Sequence, residues 1–507
     1  MRKSIFLIVL LFIARLGVGQ PADVIRSYAE TISVEDLKES LTILSSDALE
    51  GRETGTRGQK MAAAFIAHHF EELGLHPPVN NSFYQPIVLY SALPGETFVK
   101  SGNVRFDNFQ DVVYYGSADM NSELAIDAVF VGKGSEADYT GLTVKDRAVV
   151  IYTESKTFEN SLKKVVDIAQ GKGAKLVMIV SEASPDDFKQ FAEQMQSFLS
   201  VGTLSRKKPD SGNEDHGLFF INQLVAEKVF NTPFLNLTKA AKESSKTKAL
   251  VKIKPARLSY QSSLSVKQVK TENVLGYLEG TDKKDEVIVI TAHYDHIGVN
   301  SSGSGDRINN GADDDGSGTV AVLEMAQAFV QAKKEGHGPR RSILFMTVTG
   351  EEGGLMGSEF YVENPVFPLA NTVANLNIDM IGRRDPEHAG KPDYVYVIGS
   401  DKLSTELHEI NIRNNQAYTQ LEFDFTYNDE DHPTNLYRRS DHWNFAKNGI
   451  PITFYFDGIH EDYHRVTDEV EKIEFDLLAK RAQSLFYTAW ELANREERIK
   501  VDKESKR

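Results

Sequence analysis

The sequence predicts an α/β sandwich for the second half of the chain. From Thr271 onward, strand-like segments alternate with helix-like segments. Two continuous apolar runs, 287–290 and 343–348, are typical of strands that are covered on both faces. Between them, residues 318–334 repeat apolar side chains at helical spacing. The same patterns predict three further strands and a last amphipathic helix, in 372–379, YVYVIG, PITFYFDG and 475–496.

Length and composition indicate a globular protein of more than one domain. The chain has 507 residues, which is too many for one ordinary core. Hydrophobic residues make up 41% and charged residues 26%, as in ordinary globular proteins. The formal net charge of −16 argues against a nucleic-acid partner and disfavours binding to an anionic membrane surface.

Residues 1–19 are predicted to be a signal peptide. The positive pair Arg2-Lys3 precedes an apolar run, 4–14, that is too short to span a bilayer comfortably. Small residues at 17–19 are suited to cleavage, and an uncleaved membrane anchor is the alternative. Cleavage implies a secreted or periplasmic protein with no stable membrane span.

The absence of cysteine limits both stability and metal chemistry. A secreted chain of this kind has no disulfides, so its cores and bound metal must stabilise it. Thiolates are also excluded as metal ligands. Any zinc must therefore bind to histidine and carboxylate side chains, which suits a catalytic site better than a structural one.

The rest of the chain divides into four predicted segments. They are a helical N-terminal part of the catalytic domain at 20–95, a β-rich insertion at 96–255, the main catalytic region at 256–497 and a charged, disordered tail at 498–507.

Strand-like runs such as AIDAVFVG and DRAVVIYT alternate with loops in the insertion. A predicted helix, LKKVVDIAQGKGA, leads into the strand KLVMIVS. Residues 141–153 and the glycine turn before 176–180 resemble the protease-associated domain of secreted peptidases. This resemblance implies a possible protein contact through the insertion. An unrelated β-rich spacer is the alternative.

The first candidate ligand follows the predicted strand 287–290. His293 ends the sequence VIVITAH, and open α/β sheets place ligand sites beyond the carboxyl ends of their strands. Asp295 could accept a hydrogen bond from the second ring nitrogen of His293, which would fix the tautomer of a metal-binding imidazole. His296 is the competing ligand, and a histidine after a strand is often only a satisfied polar group.

Three consecutive aspartates, Asp313 to Asp315, lie in a glycine-rich loop before the predicted helix 318–334. Packed in one turn, they repel one another unless a cation or solvent neutralises them. Asp315 or Ser317 could cap the helix, which would leave another aspartate free to bridge two metals through its two oxygens. A helix cap with favourable dipole interactions and no metal is the other interpretation.

Two adjacent glutamates, Glu351 and Glu352, follow the predicted strand 343–348. Adjacent side chains in a turn diverge, so one could bind a metal while the other faces the metal's water molecule. Hydrolysis needs this division between a ligand and a separate base. An acidic turn in contact with solvent is the alternative.

Two further candidates come later in the chain. Asp379 closes an apolar strand and needs a partner, either a metal or one of the arginines at 383–384. His464 is a candidate ligand, and His460 is its local alternative. The hydroxyl of Tyr463 could donate a hydrogen bond to a developing oxyanion.

Together these motifs resemble the secreted co-catalytic di-zinc aminopeptidases, the family of aminopeptidase S and bacterial leucyl aminopeptidase. Glutamate carboxypeptidase is a more distant member. The resemblance covers most of 271–494. It rests on five motifs in the family's order: His293-x-Asp295, Gly311 to Gly318, Gly350 to Gly353, Asp379 to Gly382 and Tyr463-His464. It implies a three-layer α/β/α sandwich with a mixed central sheet, of the zinc exopeptidase type.

The resemblance also implies two zinc ions per chain. Their expected ligands are His293 and Asp379 for one zinc, Glu352 and His464 for the other, and Asp314 as the bridge. Glu351 would be the general base, Asp295 would orient His293, and Tyr463 would help to stabilise the tetrahedral intermediate. Two zinc ions and three carboxylates leave one positive charge, which a bridging hydroxide would balance.

The expected activity is removal of N-terminal residues from peptides by an aminopeptidase. A carboxypeptidase or dipeptidase on the same scaffold is the alternative, because four arginines are available to bind a substrate carboxylate: Arg383, Arg384, Arg438 and Arg439. A mono-zinc glutaminyl cyclase and a non-catalytic binding protein are weaker alternatives. The stretch RRSDHWNFAKNGIP also resembles a segment near the substrate pocket of related proteins, but Asp441 and His442 receive no role.

Overall fold

The computed structural model describes residues 22–155, 162–200, 202–209, 217–243, 246–300, 304–429 and 432–504. The predicted signal peptide lies outside the described residues. The chain forms two compact units. Unit 1 comprises the chain up to Ile87 and from Thr271 onward, and unit 2 comprises Val88 to Lys270. Unit 2 is wider at both ends than the predicted insertion of 96–255.

The N-terminal part of unit 1 is helical. Its helices are α1 (Ala22–Ala29), α2 (Val34–Leu44) and α3 (Arg57–Leu73). The Ser33 side chain caps α2 by accepting a hydrogen bond from the backbone N–H of Asp36. Thr56 caps α3 in the same way, and Gly74 ends it in the left-handed conformation that glycine adopts without strain. These helices agree with the predicted helical segment of 20–95 over its first part, but a strand begins at Tyr84, so the last part of that segment is not helical.

Unit 2 begins with strands. They are β1 (Tyr84–Ser101, which starts in unit 1), β2 (Val104–Asp107), β3 (Val112–Tyr115), β4 (Leu124–Phe130) and β5 (Ala148–Thr153). The rest comprises α4 (Leu162–Gly171), β6 (Leu176–Ser181), α5 (Pro185–Leu199), β7 (Thr203–Ser205), β8 (Leu218–Ile221), α6 (Gln223–Phe230), α7 (Phe234–Lys242), α8 (Lys246–Leu250) and β9 (Ala256–Leu278, which ends in unit 1).

Strands β4, β5, β6 and β8 of unit 2 are parallel neighbours, with β9 and β3 antiparallel at the two ends of the row. A hydrophobic core lies on each face of this row. The predicted strands and the helix between them are present. Helices α5 to α8 were not predicted from the sequence. The capping box of Ser184 and Asp187, with Pro185 in the first turn, is the local signal that starts α5.

The main part of unit 1 alternates strands and helices. Its first elements are β10 (Lys283–His293), α9 (Gly318–Lys334), β11 (Arg341–Val348), α10 (Met356–Glu363) and β12 (Thr372–Ile378). They are followed by β13 (Tyr394–Ile398), α11 (Thr405–Asn414), β14 (Glu422–Asp424), α12 (His442–Ala446), β15 (Ile452–Phe456) and α13 (Phe475–Asn494).

The sheet of unit 1 is mixed. Its strand order is β14-β13-β15-β12-β10-β11-β9. The four central strands, β15, β12, β10 and β11, are parallel, whereas β9 and β13 run antiparallel to their neighbours in that group. Parallel central strands place several carboxyl ends at one edge of the sheet, where ligand sites form in open α/β proteins.

Helices cover both faces of this sheet. Ile288 and Ile290 of β10 belong to a core that includes residues of α1, α2, α3, α9 and α13. Val287 and Val289, which point to the other face, belong to a separate core with residues of α10 and α12. The arrangement confirms the predicted three-layer α/β/α sandwich. No helix in the described part of the chain is long and apolar enough to cross a membrane.

The C-terminal tail departs from the predicted disorder over the residues that the structure describes. Ile499 is buried, and the backbone N–H groups of Asp502 and Lys503 both donate to the carbonyl of Leu403. The backbone N–H of Lys500 donates to the carboxylate of Glu406. Although the segment is highly charged, a buried isoleucine and several backbone hydrogen bonds hold it in place.

Helix α9 contains a buried carboxyl group. Glu324 is only 1% exposed, and among the described residues its Oε2 atom has no hydrogen-bond partner. Burial, assisted by repulsion from Asp36, raises the pKa of Glu324 to about 8. An unfolded glutamate has a pKa of about 4.3. Between these two values the folded protein retains a proton that the unfolded chain has lost.

Glu324 should make stability fall as pH rises. Above pH ~4.3 this group lowers the free energy of unfolding by about 1.4 kcal/mol for each pH unit, until the folded carboxyl ionises near pH 8. We expect Glu324→Gln to remove this contribution. The measurement is the urea midpoint between pH 5.5 and 8.5, with the exposed Glu39→Gln as control. Identical pH slopes for Glu324→Gln and the unsubstituted protein would contradict the prediction.

Candidate metal centre

The carboxyl ends of three adjacent parallel strands converge at one edge of the unit 1 sheet. His293 is the last residue of β10, and Asp379 directly follows β12. Glu351 and Glu352 lie in the turn after β11. Strand β10 lies between β11 and β12, so these side chains reach the same point from three strands.

The structure brings the five predicted ligands into two groups that share Asp314. In the first group, Nε2 of His293 lies 3.3 Å from Oδ1 of Asp314 and 3.5 Å from Oδ1 of Asp379. In the second, Nε2 of His464 lies 3.1 Å from both Oδ2 of Asp314 and Oε2 of Glu352. Each oxygen of Asp314 therefore faces a different group, as a bridging carboxylate requires.

His296 is also drawn into the second group. Its Nδ1 atom lies 2.8 Å from Oε1 of Glu352 and 3.7 Å from Oδ2 of Asp314. His460 is not: its Nε2 atom lies 3.1 Å from a carboxylate oxygen of Asp313 instead. Of the two alternative histidines considered from the sequence, only His296 lies against the predicted ligands.

The donor set fits a cation. In the part of the chain that the structure describes, four buried polar atoms of the second group make no hydrogen bond of suitable geometry, although Nδ1 of His296 lies 2.8 Å from Oε1 of Glu352: Oδ2 of Asp314, Oε1 of Glu352 and both ring nitrogens of His296. Buried polar atoms without partners are costly, and several carboxylates packed together repel one another. Imidazole and carboxylate ligands suit zinc and related divalent ions, which would satisfy both requirements.

The three aspartates of the loop make different contacts. Asp313 accepts a hydrogen bond from the backbone N–H of Gly382 at 2.6 Å. Asp315 accepts from the backbone N–H groups of His293, Gly318 and Met380 at 2.9–3.1 Å. Asp315 thereby caps the start of α9, and it was one of the two residues that were predicted as possible caps. The flanking carboxylates thus hold the backbone of the site, and Asp314 points to the ligand groups.

Asp295 contacts His293 differently from the prediction. Nδ1 of His293 lies 3.0 Å from the backbone carbonyl of Asp295 but 3.9 Å from its carboxylate. The carboxylate instead accepts hydrogen bonds from the hydroxyl of Thr54 at 2.6 Å and from the backbone N–H of Glu351 at 3.3 Å. The carbonyl is close enough to orient the imidazole, which leaves the side chain to position Glu351.

Arg52, which was not predicted from the sequence, supports the site from the N-terminal part of unit 1. Arg52 is 1% exposed, and its guanidinium donates to the carbonyls of Tyr294, Asn310 and Gly311. It therefore ties together the segments that carry His293 and Asp314. Burial lowers the pKa of Arg52, and nearby carboxylates, Asp314 first among them, oppose that effect. Nothing in its local sequence distinguishes Arg52 from a surface arginine.

Asp468 is the second supporting residue that was missed. Its carboxylate accepts hydrogen bonds from the backbone N–H groups of Asp313 and Asp314, at 3.1 Å in each case. Its own backbone carbonyl accepts from Ala312. Asp468 follows His464 closely in the chain, so a carboxylate shortly after a candidate ligand was the only available signal.

Glu351 and Tyr463 lie beside the ligand groups. Burial, with repulsion from Asp379 and Glu352, raises the pKa of Glu351 well above its ordinary value, although His293 opposes the shift. The ring of Tyr463 stacks on His464 with centroids 3.9 Å apart. Burial also raises the pKa of Tyr463 far enough that its hydroxyl stays protonated and can donate a hydrogen bond.

Asp441 and His442 are buried supports of the surrounding loop. Asp441 accepts a hydrogen bond from the hydroxyl of Ser358, and burial raises its pKa to about 7. Nε2 of His442 lies 2.9 Å from the carbonyl of Tyr437, and burial lowers its pKa to about 3. His442 therefore stays neutral at physiological pH.

A cavity of about 420 Å³, which includes space open to solvent, lies over the candidate ligands. His293, Asp314, Glu351, Glu352, Asp379 and Tyr463 line it. The other lining residues are mostly apolar, namely Met380, Leu436, Phe454, Phe456 and Ile459, with one arginine, Arg439. A cavity with convergent polar groups on one side and apolar side chains on the other has the form of a substrate site.

Residues 273–489 match Peptidase family M28. The chain carries a peptidase family M28 domain. This match confirms the resemblance inferred from the motifs, and the M28 domain contains every candidate ligand. The assignment of unit 2 to the protease-associated domains is not covered by the match and stays a prediction.

The chain is similar to relatives that are named as carboxypeptidases and to relatives that are named as aminopeptidases. It is 25% identical to a probable glutamate carboxypeptidase of Arabidopsis thaliana over 64% of this chain and 48% of the relative. It is 30% identical to leucine aminopeptidase 1 of Pyrenophora tritici-repentis over 42% of this chain and 53% of the relative. The chain thus spans about half the length of the curated relatives it matches.

Solved structures share the fold. An aminopeptidase from Aneurinibacillus sp. strain AM-1 aligns with a TM-score of 0.55 and 17% identity, over 95% of this chain and 99% of that one. A zinc aminopeptidase from Bacillus subtilis aligns with a TM-score of 0.50 and 20% identity, over 93% and 99% of the two chains. At these identities the likeness supports the mixed α/β fold of the M28 domain and no finer statement.

The contacts of Asp468 predict that it controls metal affinity. Asp468→Ala would leave two buried backbone N–H groups of the 313–314 segment without acceptors, which displaces Asp314. We expect zinc affinity to fall by about 10- to 100-fold, as measured by competition with a fluorescent chelator. Glu471→Ala, which removes an exposed carboxylate nearby, should leave affinity unchanged. Equal affinities for both variants would contradict this role.

Proposed function

We propose that this protein is a zinc-dependent metallo-exopeptidase, and in the first place an aminopeptidase. The observation that carries the proposal is the position of Asp314, whose two oxygens face two separate ligand groups beside Glu351. A single structural zinc would not require a shared carboxylate with a free acidic side chain next to it. The M28 match and the leucine aminopeptidase relatives support the same class of reaction.

We assign two zinc ions to the two groups. His293 and Asp379 would hold one, Glu352 and His464 the other, and Asp314 would bridge them. His296 would either add a ligand to the second zinc or orient Glu352. Bound there, zinc would polarise the scissile carbonyl and make water a good nucleophile at neutral pH.

The protein's own side chains would carry the proton transfers. Glu351 would accept a proton from the attacking water and pass it to the leaving amine. Its Oε2 atom is 4.0 Å from Nε2 of His293, and Asp295 holds its backbone N–H. The hydroxyl of Tyr463 would donate a hydrogen bond to the oxygen of the tetrahedral intermediate.

Glu351→Gln tests the division of labour between the two glutamates. It removes the proposed base and keeps the side-chain volume, so kcat should fall by about 10²- to 10⁴-fold while the zinc content stays at the original value. Glu352→Gln is the matched variant, and it should lose zinc. The measurements are metal analysis by mass spectrometry and turnover of an aminoacyl substrate. Loss of zinc from Glu351→Gln would mean that the two roles are exchanged.

A pair of peptides that differ only at the N-terminus tests which end of the peptide is recognised. Zinc-loaded protein should release the first residue of Leu-Ala-Ala-amide and leave the N-acetylated peptide intact, because an aminopeptidase requires the free amine. Mass spectrometry of the products would identify the bond that is cut. Cleavage of the blocked peptide alone would overturn the aminopeptidase assignment.

A carboxypeptidase or dipeptidase is the second candidate function. The presence of Arg439 in the cavity lining favours it, since arginine binds carboxylates in a planar, bidentate geometry. The probable glutamate carboxypeptidase relative points to the same alternative. Removal of the last residue from N-blocked peptides with a free carboxyl end would support this candidate.

Two further proposals, on the location of the protein and on the role of unit 2, rest on the sequence alone. We propose that the protein is exported from the cytoplasm, because residues 1–19 have the pattern of a signal peptide. We further propose that unit 2 is a protease-associated-like domain that contacts other proteins. N-terminal sequencing of the protein from its native host would test the export proposal.

A further inference from the structure

The four arginines considered from the sequence have different surroundings. Arg383 pairs with Asp462 at 3.1 Å and is largely buried. Arg384 pairs with Asp393 and with Glu474. Both guanidinium groups are therefore already neutralised by carboxylates of the protein.

The two adjacent arginines that follow are exposed but face different environments. The guanidinium of Arg438 lies over the ring of Trp443, 4.9 Å from its centroid. Arg439 is one of the residues that line the cavity containing the candidate ligands. No carboxylate in the described part of the chain forms an ion pair with Arg439. Among the described residues, it is thus a cation without an ion-pair partner in the lining of the site.

The backbone that carries Arg439 is firmly held. The next residue, Ser440, accepts a hydrogen bond from the side-chain amide of Asn377 on β12 at 2.9 Å. Asp441 accepts from the hydroxyl of Ser358, and His442 contacts the carbonyl of Tyr437. Residues 440–442 are buried, so the base of Arg439 is fixed against the sheet.

The other residues that line the cavity indicate what Arg439 could bind. Within the described residues, every carboxylate that lines the cavity is a candidate metal ligand or Glu351. The same cavity is lined by the apolar residues Leu436, Phe454 and Phe456. An arginine that lines a cavity can bind an anion that enters it through charge-assisted hydrogen bonds. A substrate carboxylate is the anion that a peptide supplies.

We propose that Arg439 binds a carboxylate of the substrate and makes the enzyme selective for peptides that carry one close to the scissile bond. The inference rests on the proposed peptidase function and names its substrate class. Two sources share this chemistry. One is the terminal carboxylate of a dipeptide or of the last residue of a longer peptide, and the other is an acidic side chain.

Paired substrates separate the two sources. Leu-Ala and Leu-Ala-amide differ only in the terminal carboxylate. Glu-Ala-amide and Gln-Ala-amide differ only in the side-chain carboxylate of the first residue, and Leu-Glu-amide and Leu-Gln-amide in that of the second. The zinc-loaded protein should favour the acidic member of at least one pair in kcat/KM by about 10- to 100-fold, the range expected for a charge-assisted hydrogen bond.

Arg439→Gln should abolish that preference by slowing the acidic member while the neutral member stays within about twofold. Arg438→Gln, which removes the neighbouring guanidinium, should leave all six rates unchanged. Zinc content, measured for each variant, should equal that of the unsubstituted protein.

Three results would overturn the assignment of Arg439. They are equal losses on both members of a pair, the same losses in Arg438→Gln, and no preference for an acidic member in the unsubstituted protein. A fourth result, no hydrolysis of any of the six peptides by the zinc-loaded protein, would overturn the proposed function and the assignment together. Because the first three results require hydrolysis to be observed, the two failures are distinguishable.

Discussion

The concentration of negative charge around Asp314 is the constraint on which the rest of the site depends. Asp314, Glu352 and Asp379 lie close together, with Glu351 beside them and largely out of water. Such a cluster is unfavourable by itself, since like charges repel more strongly away from solvent. A pair of divalent cations would convert this repulsion into attraction. The fold must therefore hold these carboxylates in place, and hydrogen bonds from other groups must fix the loop around them.

Backbone donors provide much of that support. Asp313 and Asp315 accept hydrogen bonds from the segment after β12, namely from Gly382 and Met380, and Asp468 accepts from the 313–314 segment itself. Each flanking carboxylate is thus used to position the loop, which leaves Asp314 directed at the two ligand groups. Arg52 adds a positive charge beneath the same loop and occupies its carbonyls. The hydrogen-bond partners of the three aspartates therefore determine which of them faces the ligand groups.

The sequence predicted what depends on local pattern. Apolar runs identified β10, β11 and β12, and their ends identified His293, Glu351, Glu352 and Asp379. It could not predict contacts between distant segments, such as those of Arg52, because no local pattern encodes them. Asp295 is a related case: its spacing from His293 was informative, but whether its carbonyl or its carboxylate meets the imidazole depends on the turn. The order in residues 499–503 was missed because one buried isoleucine is hidden among charges.

The division of unit 1 into two stretches of sequence affects how the protein folds during synthesis. Arg52 emerges from the ribosome long before Tyr294, its partner 242 residues later in the chain. At ~5–20 residues per second, this separation corresponds to a wait of roughly ten to fifty seconds. During that time the N-terminal helices lack the sheet against which they pack, whereas all of Val88 to Lys270 becomes available first. The contacts of Arg52 with the segments that carry the candidate ligands therefore form late, by closure of a long loop in the sequence.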